Sequence, residues 1–302
     1  MKFAFSTLGL PGSTLERTLT LAATHGYEGV ELRAHPEEPV HLGLSARRRT
    51  AVHRRCVAAG VRVLSVAGYT QVAGRGADEP MLAELLSLIG LAADLEAPFA
   101  RVFPGAGSLP EHVADANAVR RLRVVAPFAR RHGVRLLLET HDSHRTGAAT
   151  ARVLDRVAHP GVGALWDVLH TWLGGEHPRD SARCLTDHLG YVQVKDVASP
   201  GRLTPVPLGQ GVLPLPEVVG GLHPDGWVCW EYEKRWYPDA PELAGLLSQG
   251  RAHLTELARA AGAARPARPP RPRSGVLPPT RPPASPPAAL APEALTRDAR
   301  RP

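Results

Sequence analysis

Four oxygen-bearing side chains follow four successive apolar runs in the second half of the sequence: Glu139, Asp167, Gln193 and Glu231. The clearest run is 134–141 (VRLLLETH), which has the composition of a buried strand that ends in a carboxylate. A charged side chain at that point suits a ligand site better than a core, because α/β barrels and open α/β sheets bind ligands outside the carboxyl ends of their strands.

Three carboxylates that converge on one pocket repel one another unless a cation lies between them. Oxygen donors of this kind suit manganese, magnesium or cobalt better than structural zinc, which prefers sulfur-rich ligand sets. The pattern therefore predicts a divalent metal ion bound by Glu139, Asp167, Gln193 and Glu231. Glu233 is an alternative to Glu231, because the alternation of a strand places both on the same face.

The elements that must position these residues alternate between strand and helix patterns over residues 1–262. Ser13 and Glu16 form a capping-box pattern for the first helix, while Ser45 and Asp78 are predicted to begin the next two. Eight such units of roughly 33 residues match a (β/α)8 TIM barrel. A doubly wound sheet is the alternative, but no Gly-rich dinucleotide fingerprint follows the first strand. The predicted strands are 2–7, 29–33, 61–68, 99–104, 134–141, 163–168, 191–196 and 227–233.

Residues 263–302 differ in kind from the predicted barrel, since Pro, Ala and Arg dominate them. Within 265–302 lie eight arginines and two acids, so only one of the seven net positive charges belongs to the rest of the chain. A segment of this composition cannot bury enough apolar surface to fold, and we predict a disordered tail. An arginine tail that docks on an anionic partner is the alternative.

The composition also excludes several classes of protein. The three cysteines are too few and too scattered for a disulfide framework, and no run is long enough to span a membrane. The N-terminus lacks a clear signal-peptide core and cleavage site. We therefore expect a cytoplasmic enzyme with neither a membrane nor a nucleic acid as its partner.

Five segments resemble the sugar phosphate isomerase/epimerase family, which has a xylose isomerase-like TIM barrel. They are 26–32 (GYEGVEL), 138–142 (LETHD), 165–170 (LWDVLH), 191–196 (YVQVKD) and 230–236 (WEYEKRW). The order and spacing of these segments are specific for the superfamily but not for a substrate. The family includes ketose 3-epimerases, hydroxypyruvate isomerase and inosose dehydratase, and its barrels often form dimers.

The resemblance implies a metal ion held by Glu, Asp, His and Glu from strands five to eight. Glu139, Asp167 and Glu231 match those positions, whereas Gln193 stands where the family commonly has His. It also implies that Glu139 and Glu231 transfer protons on opposite faces of a small sugar or keto-polyol, through an enediolate, and that His170 contacts the substrate.

Three further residues are predicted to bind substrate at the barrel mouth. Lys195 is one of only three lysines and could hold a substrate oxygen or a developing negative charge. His141 and Glu31 also lie near the expected mouth, where they could equally orient the ligand residues or serve the fold alone.

Structural explanations compete with several of these assignments. Glu139 could form a strand-end ion pair with an arginine, and Asp167 could cap the following helix. Gln193 could be a plain hydrogen-bonding residue, His170 a packed or capping histidine, and Lys195 part of a solvated pair with Asp196. Packing roles are predicted for Trp166, Trp230 and Trp236.

Three other functions compete with the isomerase or epimerase prediction. Dehydration of an inosose would use the same site, and a sugar-binding barrel without catalysis would explain the glutamine at position 193. A nuclease similar to endonuclease IV is disfavoured, because it needs several strand-end histidines and residues 1–264 lack the basic surface that DNA binding generally requires.

Overall fold

The computed structural model describes residues 1–263, whose centre is a closed barrel of eight parallel strands. Seven strands follow chain order around the barrel, and the last strand, β10, closes it by pairing with β1 and β7. The predicted (β/α)8 fold is therefore confirmed. The strands are β1 (Lys2–Ser6), β2 (Gly29–Arg33), β3 (Arg62–Gln71), β4 (Phe99–Phe103), β5 (Arg135–Glu139), β6 (Val162–Asp167), β7 (Leu189–Val194), β8 (Val197–Ser199), β9 (Arg202–Pro205) and β10 (Trp227–Trp230).

Helices surround the barrel and occupy the connections between its strands. The helices are α1 (Leu15–Thr24), α2 (Ala46–Ala58), α3 (Asp78–Asp94), α4 (Glu111–Arg131), α5 (Gly147–Val157), α6 (Val168–Leu173), α7 (Pro178–Leu185), α8 (Leu215–Gly221) and α9 (Leu243–Ala263). Single 3-10 turns lie at Thr7–Gly9 and Asp142–His144.

Two of the three predicted helix starts are confirmed. Ser45 caps α2 by accepting a hydrogen bond from the backbone N–H of Arg48, and α3 begins at Asp78. The first prediction is wrong by one residue: the cap of α1 is Thr14, whose hydroxyl accepts from the backbone N–H of Arg17. Ser13 lies in the turn before the helix, where its backbone N–H donates to the Leu10 carbonyl.

The eighth barrel strand is shorter than predicted. Strand β10 ends at Trp230, although the backbone N–H of Glu231 still donates to the Val194 carbonyl at 2.9 Å. A turn then begins, in which the N–H of Lys234 bonds to the Tyr232 carbonyl. Glu231 and Glu233 therefore belong to the loop that follows the strand.

Alternation along the strands builds the barrel interior in layers. An apolar floor is formed by residues that include Ala4, Phe99, Leu137, Leu165, Tyr191 and Cys229. Their neighbours on the outer face, such as Val102, Leu138 and Trp166, pack with the helices in the main core. Inward-facing side chains recur every second residue, so the next layer lies two residues further along each strand. The residues at those positions are polar. That layer includes Ser6, Glu31, Arg101, Glu139, Asp167, Gln193 and Glu231.

The connection after β7 is held in place by Asp196. Its carboxylate accepts four backbone N–H bonds, from Val197, Gly209, Gly211 and Leu213. The short β8–β9 hairpin lies within this loop. Asp196 is thus a buried loop anchor, which corrects the alternative of a solvated pair with Lys195.

The predicted tail, 263–302, lies outside the described residues apart from Ala263, the last residue of α9. Within the described part of the chain, no helix has the length and apolar character that a membrane span requires.

Candidate active site at the barrel mouth

The structure brings the four predicted metal ligands to one end of the barrel. Glu139 and Asp167 are the last residues of β5 and β6, and Asp167 is in register with Gln193 of β7. Glu231 follows β10 directly. All four side chains belong to the polar layer, and all four residues are buried.

Glu139 forms an ion pair with Arg101, a residue of β4. The Arg101 Nε lies 3.1 Å from the Glu139 Oε2, and the two side chains are 4% and 2% exposed. The guanidinium also lies over the Phe103 ring, 4.0 Å from its centroid. The strand-end ion pair that competed with the ligand assignment of Glu139 therefore exists. Arg101 was missed in the sequence, where its signal was a charged residue in the middle of the apolar strand FARVF.

Burial governs the protonation of Glu139. It raises the pKa of the Glu139 carboxyl to about 8, against the lowering effect of Arg101 and His141. The nearby carboxylates Glu231 and Asp167 raise this pKa further. Glu139 is therefore poised to gain or lose a proton near neutral pH.

Lys195 lies at the centre of the remaining carboxylates. Its Nζ is 2.7 Å from the Asp167 Oδ2 and 2.8 Å from the Glu233 Oε1, and it also pairs with the Glu231 Oε2. Burial alone would raise the pKa of the Asp167 carboxyl, but the Lys195 ammonium outweighs it and the pKa is lowered. Both Glu231 and Glu233 reach the same ammonium group, so the structure keeps both as candidate ligands.

Asp167 has a second role at the start of α6. Its Oδ1 accepts hydrogen bonds from the backbone N–H groups of Leu169 and His170, at 2.9 and 3.3 Å. The alternative assignment of Asp167 as a helix cap is therefore confirmed for one oxygen, while the other oxygen faces Lys195.

Gln193 is oriented by Glu31 from across the barrel. Its Nε2 donates to both carboxylate oxygens of Glu31, at 3.0 and 2.9 Å, and to the Glu231 Oε1 at 3.2 Å. The Tyr191 hydroxyl donates to the same carboxylate. Glu31 is thus completely buried and bonded to protein groups. The Oε1 of Gln193 has no hydrogen-bond partner among the described residues.

His141 and His170 stand together at the rim. Their rings are 3.9 Å apart, and His141 also packs against Phe103 at 4.5 Å. Burial lowers the pKa of His170 to about 4, so its imidazole is neutral at physiological pH. Burial also disfavours the charged form of His141, but its bond to Asp142 and the nearby carboxylates outweigh this effect and raise its pKa. The donor atoms of Glu139, His141 and His170 all lie within 4.8 Å of one another.

The donors present fit a divalent cation. Glu139, Asp167 and Glu231 supply carboxylate oxygens, and the unpartnered Oε1 of Gln193 is a buried acceptor of the kind that a hard cation binds. The grouping of Glu139 with His141 and His170 adds two imidazole donors that the sequence prediction had assigned to substrate.

The three tryptophans near the mouth divide into two groups. Trp166 and Trp230 are completely buried, as the packing prediction expects. For Trp236 that prediction is wrong: its side chain is 52% exposed and lies beside Arg33, whose guanidinium is 5.7 Å from the ring.

Comparison with known proteins relates this barrel to one family. The family model described as xylose isomerase-like TIM barrel matches residues 19–257. The search of curated proteins found no match.

Among solved structures, three similar chains illustrate the range of the fold. L-ribulose 3-epimerase is 17% identical, with a TM-score of 0.72 over 89% of this chain and 100% of its own. The probable 3-DHS dehydratase AsbF of Bacillus anthracis is 19% identical, with a TM-score of 0.70 over 84% of this chain and 99% of its own. The IolI protein with a bound zinc atom is 16% identical, with a TM-score of 0.71 over 86% and 99%.

Proposed function

The chain belongs to the xylose isomerase-like TIM-barrel family, and on that premise we propose that it is a divalent-cation-dependent isomerase or epimerase of a small sugar or keto-polyol. The observation that carries the proposal is the polar layer at the mouth, where three carboxylates and an unpartnered amide oxygen converge. Epimerases with the same fold are among the similar structures.

The cation would be held by Glu139, Asp167, Gln193 and Glu231, with Glu233 as the rival of Glu231. Manganese, magnesium and cobalt suit a set in which every donor is an oxygen. When bound, such a cation supplies Lewis-acid polarisation of a substrate carbonyl.

Glu139 is the proton acceptor in this proposal. A general base works best when its pKa lies near the operating pH, and burial holds the pKa of Glu139 at about 8. It would remove a proton from the carbon next to the carbonyl and leave an enediolate. Glu231 would return a proton to the neighbouring carbon or to the opposite face of the same carbon.

The rim residues would bind and orient the substrate. Lys195 can donate to an oxygen on which negative charge develops. His170, neutral because burial lowers its pKa to about 4, can donate one N–H to a hydroxyl group. His141 lies against it at 3.9 Å and can bind a neighbouring hydroxyl group.

Dehydration of an inosose is the second candidate function. One similar structure is that of a probable 3-DHS dehydratase. Dehydration and epimerisation would share their first step, the removal of a proton next to a carbonyl. The reactions differ afterwards, because a dehydratase expels a β-hydroxyl group whereas an epimerase returns the proton. Assays on a panel of ketoses and inososes, with water loss followed by absorbance, separate the two.

The test is turnover by Glu139→Gln in the presence of manganese. Deuterium incorporation from D₂O next to the carbonyl, measured by NMR over the same panel, detects proton removal whatever the final product. We expect the wild-type protein to exchange and Glu139→Gln to lose about 10²–10⁴-fold in rate. Glu16→Gln is the matched control, since Glu16 pairs with Arg55 on the surface. Near-normal exchange by Glu139→Gln would refute the assignment.

A further inference from the structure

A positive charge of the chain itself lies among the carboxylates that would hold the cation. The Lys195 ammonium group touches Asp167, Glu231 and Glu233, and its side chain is only 3% exposed. Three carboxylate oxygens around one cationic centre form the arrangement of a cation site. Lys195 is the residue directly after β7, so the strand fixes the position of its backbone.

An ammonium group and a divalent cation cannot share these oxygens, because the two charges repel at such short distances. We propose that Lys195 is a built-in occupant of the cation site and that a divalent cation binds by displacing its ammonium group from Asp167 and Glu231. This inference rests on the proposed function, which assigns those two carboxylates to the cation.

The charges of the buried cluster support an exchange of this kind. Five carboxylates, Glu31, Glu139, Asp167, Glu231 and Glu233, face two side-chain cations, Arg101 and Lys195. With all five carboxyls ionised, as metal binding requires of its ligands, the cluster keeps a formal excess of negative charge while Lys195 is in place. A divalent cation can enter without any need for the lysine to leave the neighbourhood.

Glu233 supplies the place to which the lysine can move. It is the least buried of the three partners, at 18% exposure against 0% for Asp167 and 6% for Glu231. An ammonium group that keeps Glu233 and releases the other two carboxylates shifts from the polar layer toward the rim.

The exchange makes an unusual prediction about metal affinity. Removing a side chain from a metal site ordinarily weakens binding, but removing a competitor tightens it. We expect Lys195→Met to bind Mn²⁺ about 5- to 150-fold more tightly than the wild-type chain, the usual range of coupling between two binding events. Without Mn²⁺ the variant should unfold at a lower temperature than the wild type, because its carboxylates lack their cation.

The experiment is isothermal titration of the full chain with Mn²⁺, together with thermal unfolding in chelator and in Mn²⁺. Lys2→Met is the matched control, since Lys2 lies at the start of β1 beside Trp227 and should bind Mn²⁺ as the wild type does. Lys195→Gln provides a second neutral variant. If Lys195→Met folds only when Mn²⁺ is present, that dependence supports the exchange.

Equal or weaker Mn²⁺ affinity in both neutral variants would overturn the inference while leaving the proposed function intact. Tighter binding by the variants, without turnover by the wild type on any substrate of the panel, would support the exchange and refute the proposed function. Absence of Mn²⁺ binding in every variant would refute both.

Discussion

Substitution of Arg101 is the most demanding test of how the buried charges at the barrel mouth stabilise one another. It lies 3.1 Å from Glu139, and both side chains are almost completely buried. Unit charges at this separation attract by about 5 kcal/mol at an effective dielectric constant of about 20. Removing one member of a buried pair costs about 3–5 kcal/mol, because the other is left without compensation. At pH 9, where Glu139 is ionised in the wild type, we expect Arg101→Met to reduce the free energy of unfolding by about that amount.

The cost should depend on pH in a defined direction. Burial already raises the pKa of Glu139 to about 8, and Arg101 opposes that rise. Without Arg101 the pKa moves further up, so the carboxyl stays protonated in the folded variant to higher pH. The wild type loses this proton as pH rises through about 8 and gains the ion pair instead. The difference in stability between wild type and variant should therefore grow from pH 6 to pH 9.

Urea unfolding at pH 6 and pH 9 measures this difference, and thermal unfolding should show a fall of roughly 6–20 °C for a domain of this size. In the double variant with Glu139→Gln, the cost should be less than the sum of the single costs by about 1–3 kcal/mol. Arg120→Met is the control, since Arg120 pairs with Asp78 at the surface and its loss should cost about 1 kcal/mol or less. Additive costs, or a loss below about 1 kcal/mol for Arg101→Met at pH 9, would refute the reasoning.

Two further predictions concern single groups at the mouth. Because the pKa of Glu139 is about 8, protons compete with the cation, and Mn²⁺ affinity measured by titration calorimetry should rise from pH 6 to pH 8 and then level off. Glu139→Gln should flatten this profile, and an unchanged slope would contradict the assignment. The free energy of unfolding measured in urea should be about 1 kcal/mol higher for Asp167→Asn than for Asp167→Ala, because only Asn can still cap α6. Both variants should lose Mn²⁺ affinity; wild-type affinity in either would exclude Asp167 as a ligand.

The sequence was sufficient for the architecture because each step used a local signal. The apolar runs alternate with helical patterns, Ser45 supplies the capping hydroxyl of α2, and Asp78 places a carboxylate in the first turn of α3. The barrel order then follows from short right-handed connections between parallel strands. Where the local signal was ambiguous, as with two adjacent hydroxyl residues at Ser13 and Thr14, the prediction was wrong by one residue.

The pairings inside the barrel could not be obtained in the same way. Alternation indicates that Arg101, Gln193 and Glu31 face inward, but their partners depend on the stagger between strands that are distant in sequence. Gln193 meets Glu31 across 162 residues of chain, and Lys195 meets Glu231 across 36. The sequence therefore identified the acidic and amide residues of the polar layer, missed Arg101, and left open which charge would neutralise which.

The structure also changes how competing explanations for one residue should be weighed. Helix capping and cation binding were treated as alternatives for Asp167, yet its Oδ1 caps α6 while its Oδ2 faces the site. The amide of Gln193 divides in the same way, with its Nε2 bonded to Glu31 and its Oε1 without a partner. A side chain with two polar atoms can be fixed by one and present the other, so the structural bond supplies the orientation that a ligand needs. An ordinary hydrogen bond at such a residue is therefore no argument against a role in the site, and only substitutions that change one of the two atoms distinguish the roles.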